Sequence, residues 1–390
     1  MGTEGELTVA VVHDFLLDLR GGERVFLCLA DMFPEADIFT AVYDPVGTEG
    51  RFEGRNVHTT GLQRLRPTSK SFRRYLPFYP RAIESLDLSG YDLVLSSSSA
   101  WAHGVIPDPG AVHVCYCHNP FRYAWNARTE TLAGRPRWQQ LVLSGIFSRW
   151  RQWDWVAAQR VDRYIANSVT TQERIARYFG RESTVIYPPV DVARFAPGEV
   201  GDQFVVLSEL MPHKRIELAV EAFTELNLPL TVIGDGPESR RLQKLAGPTV
   251  TFTGRISDDG VAEHLAKARA LVLTATEEFG IAAVEAQAAG CPVIALAAGG
   301  ATETVVDGET GIFYKEPTVE ALVAAIERFQ KMEFDPAESV ANANRFSREA
   351  FRAEVMAAVH AALAEGPNPR GGSRVPAFGL LRAGRQSANA

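Results

Sequence analysis

The chain has no apolar run approaching the ~20 residues that a membrane-spanning helix requires, and no basic, then apolar leader opens it. A cytoplasmic location, or a peripheral one on the inner face of the cell membrane, is the expectation. Cysteine is scarce: Cys28, Cys115, Cys117 and Cys291 are the four in 390 residues. None has the spacing that a zinc site or disulfide scaffold would need. Cys115 and Cys117 would share one face of a strand as buried thiols, which fits a reducing compartment. Positive charge is not in excess either. The formal net charge of -7 argues against a nucleic-acid partner but leaves room for a local basic patch. The dinucleotide fingerprint is also missing. Gly234-Asp235-Gly236 follows an apolar run, yet Ser239 stands where the third glycine would be required.

What is present is a long alternation of short apolar runs and amphipathic segments. At 390 residues with 46% hydrophobic content, the chain exceeds what one core usually supports, so two domains are expected. Thr8–Asp14, a Gly-Gly turn and Val25–Met32 read as strand, loop and helix. Further strands are expected at Ile38–Tyr43, Leu93–Ser97, Val112–Cys117, Tyr164–Asn167 and Val185–Tyr187. The second half repeats the pattern with strands at Phe204–Ser208, Leu230–Ile233, Val250–Phe252, Leu271–Thr274, Val293–Ala295 and Ile312–Tyr314. Helices are expected between them, at Ile216–Leu226, Glu238–Leu245, Asp258–Ala268, Gly280–Ala289 and Thr318–Phe329. This order predicts an α/β protein of two facing, doubly wound, Rossmann-like domains. Pro188-Pro189 and Pro197-Gly198 mark a linker, giving domains of 1–198 and 199–345. Beyond Glu365 the chain turns to Gly, Pro, Ser and Arg without hydrophobic periodicity, so 366–390 reads as a disordered tail.

The stretch Thr274–Ala295 carries the most chemistry. It reads as a strand end, Glu277, a turn at Gly280, a helix bearing Glu285, and a further strand. Amides at a helix N-terminus beside a strand's carboxyl end make a ready anion site, and Gly280 lets a ligand approach the backbone closely. On one helix, Glu277 and Glu285 would lie roughly 12 Å apart along the axis. Glycosidase carboxylates sit within about 5–9.5 Å, so the pair suits an elongated ligand with hydroxyls at both ends and phosphate between them. As isolated residues the two would be ordinary surface acids; the surrounding pattern points to the site.

With AQAAGCPVIA and GGATETVVDGETG following, the Glu277-x7-Glu285 segment resembles the family-four retaining glycosyltransferases of the GT-B fold. The likeness covers about residues 8–365. In VVHDFLLDLRGGERV (11–25), SGYDLVLSSS (89–98), VCYCHNPFRYAW (114–125) and VIYPPVDVARF (185–195) it looks most like bacterial mannosyltransferases of polysaccharide and glycolipid assembly. The resemblance implies an N-terminal acceptor-binding domain, a C-terminal nucleotide-sugar-binding domain, and a final helix at 346–365 crossing back onto the first domain. It implies that Glu277 holds sugar hydroxyls, Glu285 the ribose diol, and Lys214 the diphosphate. His118, after the apolar strand, is assigned to the reaction centre, with Arg122 and Tyr123 towards the acceptor. The family's usual arginine is absent, since Glu209 occupies that position; neighbouring Arg215 is the candidate replacement. Phe279, Gly280 and Ile281 would offer amides to the pyrophosphate, Gly22 a loop on the opposing domain, and Gly234 and Arg255 the base pocket. Gly299-Gly300, with Glu303 beyond, reads either as a loop approaching the donor or as a plain turn.

The implied reaction is transfer of a hexose, from GDP-mannose, to a glycan or lipid-linked acceptor. A UDP-hexose donor is the alternative, and a sugar-nucleotide epimerase of the same fold a more distant one. No Asp-x-Asp clamp occurs, so no metal and no cofactor are expected. Residues 62–81 carry Arg64, Arg66, Lys70, Arg73, Arg74 and Arg81 among aromatics, and Phe147–Trp155 forms a second such segment. Basic residues beside aromatics suit contact with an anionic membrane or a phosphorylated lipid acceptor; a solvated basic face over core aromatics is the other reading.

Overall fold

The computed structural model describes residues 7–126 and 128–367. The tail expected beyond Glu365, with Arg370, Arg374, Arg382 and Arg385, lies almost wholly outside the described residues.

Two all-parallel sheets account for the architecture. The first contains β1 (Val9–His13), β2 (Asp37–Thr40), β3 (Val57–Thr59), β4 (Leu93–Ser98), β5 (Val112–Cys117), β6 (Arg163–Ala166) and β7 (Ser183–Val185). Their order across the sheet is β3-β2-β1-β4-β5-β6-β7. The second contains β8 (Phe204–Leu207), β9 (Leu230–Ile233), β10 (Val250–Gly254), β11 (Ala270–Leu273), β12 (Val293–Leu296) and β13 (Gly311–Tyr314), ordered β10-β9-β8-β11-β12-β13. In each sheet the winding reverses beside the first strand, β1 and β8, and it is there that a doubly wound sheet opens a crevice at its carboxyl edge.

Helices cover both faces of each sheet, so the central strands are apolar along their length rather than alternating with polar residues. Val9 and Val11 enter one core and Ala10 and Val12 the other. In the second domain Val205 faces one way, Phe204 and Val206 the other. The final helix, Arg348–Glu365, places Phe351, Val355, Val359 and Ala362 in the core of the first sheet. All four cysteines are free and buried.

Two details differ from the sequence expectation. The second strand stops at Thr40, where the chain turns into Asp44-centred loop hydrogen bonds. The edge strand Val57–Thr59 is too short and too polar to register as a periodic run. Among the described residues, no helix is long and apolar enough to cross a membrane.

Candidate active site

At the first crevice, β1 ends in His13-Asp14. The Asp14 carboxylate is buried and accepts four backbone N–H groups, from Ser99 (2.6 Å), Ala100 (3.1 Å), Trp101 (2.6 Å) and Ala102 (2.6 Å). A buried carboxylate this fully bonded fixes the loop after β4 beside the start of the helix Gly21–Asp31. Thr171 Oγ1 donates to the His118 carbonyl at 3.1 Å, fastening the residue that follows β5.

At the second crevice, β11 runs into the Glu277 loop. Glu277 does not belong to the helix; it pairs as an isolated bridge with Gly299, and the helix spans only Ile281–Ala288. The helical separation expected between Glu277 and Glu285 therefore does not apply. The intervening chain turns at Gly280, whose φ of 88° is open to glycine but strained for other residues. Gly299 and Gly300 approach this loop so closely that a Cβ on Gly300 would lie 2.2 Å from Phe279 Cα. They underpin the loop and do not line the cavity.

The crevices face each other across a cavity of about 580 Å³. Its N-terminal wall includes Gly22, Ser99, His118, Asn119 and Arg122; its C-terminal wall includes Glu209, Lys214, Glu277, Glu278, Phe279, Gly280 and Ile281. Two helix N-termini, at Gly21 and at Ile281, meet at this cavity. Lys214 Nζ lies 2.5 and 2.6 Å from the two Glu277 oxygens, and Thr274 Oγ1 donates to the Lys214 carbonyl at 2.7 Å. An ammonium, a carboxylate and helix amides thus share one wall, an arrangement able to hold phosphate and hydroxyl groups of one ligand.

A second cavity of about 780 Å³ adjoins the first at Gly21 and Ile281. Glu285 opens into it together with Arg24, Arg194, Arg255 and Asp258. Burial pushes the Glu285 carboxyl up to about 7, opposed in part by the Arg194 guanidinium 3.4 Å away. On His118, burial acts in the opposite direction and lowers the imidazole to about 3, so the ring is neutral at ordinary pH.

Three residues singled out in the sequence line neither cavity. Arg215 is exposed and occupies a left-handed position, φ 51°, between the turn Pro212–Lys214 and the helix Ile216–Glu225. Its neighbours Lys214 and Ile216 line the cavity, while Arg215 itself is not among the lining residues. Tyr123 packs on Phe121 in the first domain's core. Gly234 is required by its own close contact, since a Cβ there would meet the Ser208 carbonyl at 1.9 Å.

Other contacts went unread in the sequence. Glu303 crosses between domains to accept from Val169 N at 2.7 Å, at the start of the helix Val169–Phe179. Arg174 reaches Asn119 (3.0 Å) and Glu278 (3.4 Å), and Arg24 reaches Asp258 at 3.2 Å. Each is a lone charge on a helix in the sequence; only the Asp14 position, a polar residue ending an apolar strand, carries a local signal. Among the described residues no group of three or more His, Cys, Asp or Glu is gathered to hold a metal ion.

The surface segments combine exposed basic residues with aromatics that are partly in the core. All six basic residues of 62–81 are exposed, with Leu65 and Phe78, while Tyr79 is fully buried. In the helix Arg137–Ala158, Phe147 and Trp150 are core residues, and the exposed apolar ones are Trp138, Leu141, Val142, Trp155 and Val156. The 3.6-residue period puts the two sets on opposite faces.

Comparison with known proteins extends these observations. The model for Glycosyltransferase Family 4 matches residues 19–194, and that for Glycosyl transferases group 1 matches 193–350. A GDP-mannose-dependent alpha-(1-6)-phosphatidylinositol monomannoside mannosyltransferase of Mycolicibacterium smegmatis is 32% identical over 189 residues, 40% of this chain and 50% of that protein. A D-inositol 3-phosphate glycosyltransferase of Geodermatophilus obscurus is 30% identical over 240 residues, 52% of this chain and 53% of that one. The chain thus spans about half the length of the curated relatives it matches. Among solved structures, sucrose-phosphate synthase from Thermosynechococcus elongatus superposes with a TM-score of 0.70 at 19% identity, covering 92% of this chain and all of that one. HepE of Anabaena, in complex with UDP-glucose, gives 0.65 at 18%, covering 90% and 99%. With two facing parallel-sheet domains and family models meeting at the linker between them, the chain belongs to the glycosyltransferases of the GT-B type.

Proposed function

We propose that the protein transfers a hexose from a nucleoside diphosphate sugar to a hydroxyl of a glycan or lipid-linked acceptor, with retention of anomeric configuration, and that the donor is GDP-mannose. The observation that carries this reading is the C-terminal wall, where Glu277, Lys214 and the amides opening the helix Ile281–Ala288 face one cavity. The leaving diphosphate rests against Lys214 Nζ and the amides of Phe279 to Ile281, which stabilise the charge that develops as the glycosidic bond breaks. Glu277 accepts from sugar hydroxyls. The adjoining cavity takes the nucleoside, its ribose diol donating to Glu285 and its base passing Arg255.

The acid side chains lining the main cavity, Glu209, Glu277 and Glu278, all come from the second domain. The acceptor side presents His118, Asn119 and Arg122 instead, which favours attack on the same face as the departing diphosphate over a covalent sugar–enzyme intermediate. Lys214 supplies the charge otherwise brought by a metal, so transfer is expected to persist in chelator. GDP-mannose is favoured because relatives at 32% identity carry that donor in their names; the UDP-glucose complex, at 18%, speaks to the fold alone. The exposed apolar stripe of Arg137–Ala158 and the basic residues of 62–81 flank one hydrophobic cluster, and this side of the first domain is read as a peripheral contact with anionic lipid on the cytoplasmic face of the membrane.

The experiment is a thermal-shift series with GDP-mannose, UDP-glucose and UDP-N-acetylglucosamine, followed by transfer assays with the donor that binds. A dominant shift with GDP-mannose is expected. A dominant shift with a UDP-sugar would move the donor assignment, and negligible shifts with all three would overturn the site.

A further inference from the structure

His118 does not stand alone on the N-terminal wall. β1, β4 and β5 are neighbours in the sheet, and their carboxyl ends bring His13, Ser97 and His118 side by side. His118 Nε2 lies 2.8 Å from Ser97 Oγ. Ser97 Oγ lies 3.1 Å from His13 Nδ1, and the same Nδ1 lies 3.0 Å from the Ser97 carbonyl oxygen. His13 itself is buried, stacked on Phe26 at 4.8 Å, with its Nε2 3.9 Å from the Glu23 carboxylate.

One arrangement of protons gives the Ser97 hydroxyl hydrogen an acceptor among these residues. A carbonyl oxygen only accepts, so His13 Nδ1 must carry a hydrogen; unprotonated, it would turn a lone pair on a lone pair. The proton is needed whether or not His13 Nε2 is also protonated against Glu23. With Nδ1–H donating towards the serine, the Ser97 hydroxyl cannot donate back to it. Its hydrogen turns to the remaining neighbour, His118 Nε2, which therefore accepts. A neutral imidazole whose Nε2 accepts carries its proton on Nδ1. Among the described residues no hydrogen-bond partner meets His118 Nδ1, while the ring lines the cavity.

We infer that His13 and Ser97 are positioning residues that hold His118 as the Nδ1–H tautomer, so that it meets the ligand as a hydrogen-bond donor and not as a general base. The burial that keeps His118 neutral works in the same direction. The ligand atom it meets is an oxygen with a free lone pair, of the transferred sugar or of the phosphate that leaves. The identity of that atom rests on the transfer reading above; the tautomer does not.

The test reads the tautomer directly. In protein labelled with 15N-histidine, long-range proton–nitrogen correlation spectra distinguish protonated from unprotonated ring nitrogens, and the His118 signals are assigned by their loss in His118→Asn. The expected result is an unprotonated Nε2 in the wild type and a mixture of tautomers in Ser97→Ala. A protonated Nε2 in the wild type would overturn the inference, as would an unchanged tautomer in Ser97→Ala. Kinetics supply the second arm. Ser97→Ala should lower kcat about 10-fold with the donor KM little changed, and Ser97→Thr should restore it. His118→Asn, whose amide stands near Nδ1, should retain more turnover than His118→Gln, whose amide stands near Nε2; the reverse order would also refute the assignment. A wild type that binds no sugar nucleotide but shows the expected spectrum would remove the transfer reading and leave the tautomer standing.

Discussion

The two walls of the cleft are built from different chemistry. On the N-terminal side the groups at the cavity are neutral apart from Arg122, and they are backed by buried His13, Ser97 and a carboxylate, Asp14, whose oxygens are occupied by four backbone amides. On the C-terminal side the groups are charged and engaged in ion pairs: Lys214 with Glu277, and Glu285 and Asp258 with Arg194 of the linker. The first wall is preset, since the polar groups behind it, the Asp14 carboxylate and the His13 and Ser97 side chains, are bonded within the protein. The second is exchangeable, because an ion pair open to solvent can trade one partner for a phosphate or a hydroxyl at modest cost. The transfer proposed above needs both: groups that release a diphosphate after turnover, opposite a frame that positions the acceptor.

The largest expected effect that would sharpen this contrast is at Glu277. Glu277→Ala should lower kcat/KM by about 10³ while leaving the melting temperature close to wild type, because its partner Lys214 can turn to water. A variant that transfers normally would dissolve the distinction between the walls. Asp14→Ala should do the opposite, leaving four buried amides without an acceptor and costing about 3 kcal/mol of stability in urea unfolding; a loss under 1 kcal/mol would mean the N-terminal frame is not preset.

Glu285 gives a smaller effect with a definite sign. Its carboxyl holds a proton more tightly folded, at about 7, than at the ordinary 4.5. That contribution is fully present below pH 4.5 and is lost as pH rises through 7. Glu285→Gln, which does not titrate, should therefore gain melting temperature relative to wild type between pH 4.5 and 8, while weakening nucleotide binding about tenfold. A pH-independent difference would refute the burial argument. The smallest effect is expected on the outer surface. Trp138→Ser with Leu141→Ser should reduce sedimentation with anionic vesicles on the order of fivefold and leave transfer to a soluble acceptor unchanged; equal reduction on neutral vesicles would remove the electrostatic part.

Much of this was legible in the chain. The strand–helix alternation and the apolar strands gave the two sheets to within a few residues, because strands buried on both faces must be apolar throughout. Glu277, Gly280 and Lys214 stood out because charged groups and a glycine interrupt that pattern where a helix begins. Adjacency in sequence does not convey that Arg215 is a left-handed residue that turns the chain between two helical segments. Nor does it convey that Tyr123 packs on Phe121.

The sequence by itself determined the layers, the order of strand and helix, and the residues at which apolar runs give way to polar ends, since all of these follow from local periodicity and chain punctuation. Tertiary structure alone decided which of those ends meet. His13, Ser97 and His118 are separated by 84 and 21 residues, Glu303 caps a helix 134 residues earlier, and Arg194 finds Glu285 across 91. Such contacts depend on sheet order and on the closure of one domain over the other, and no local pattern encodes a hydrogen bond between residues that only folding brings together.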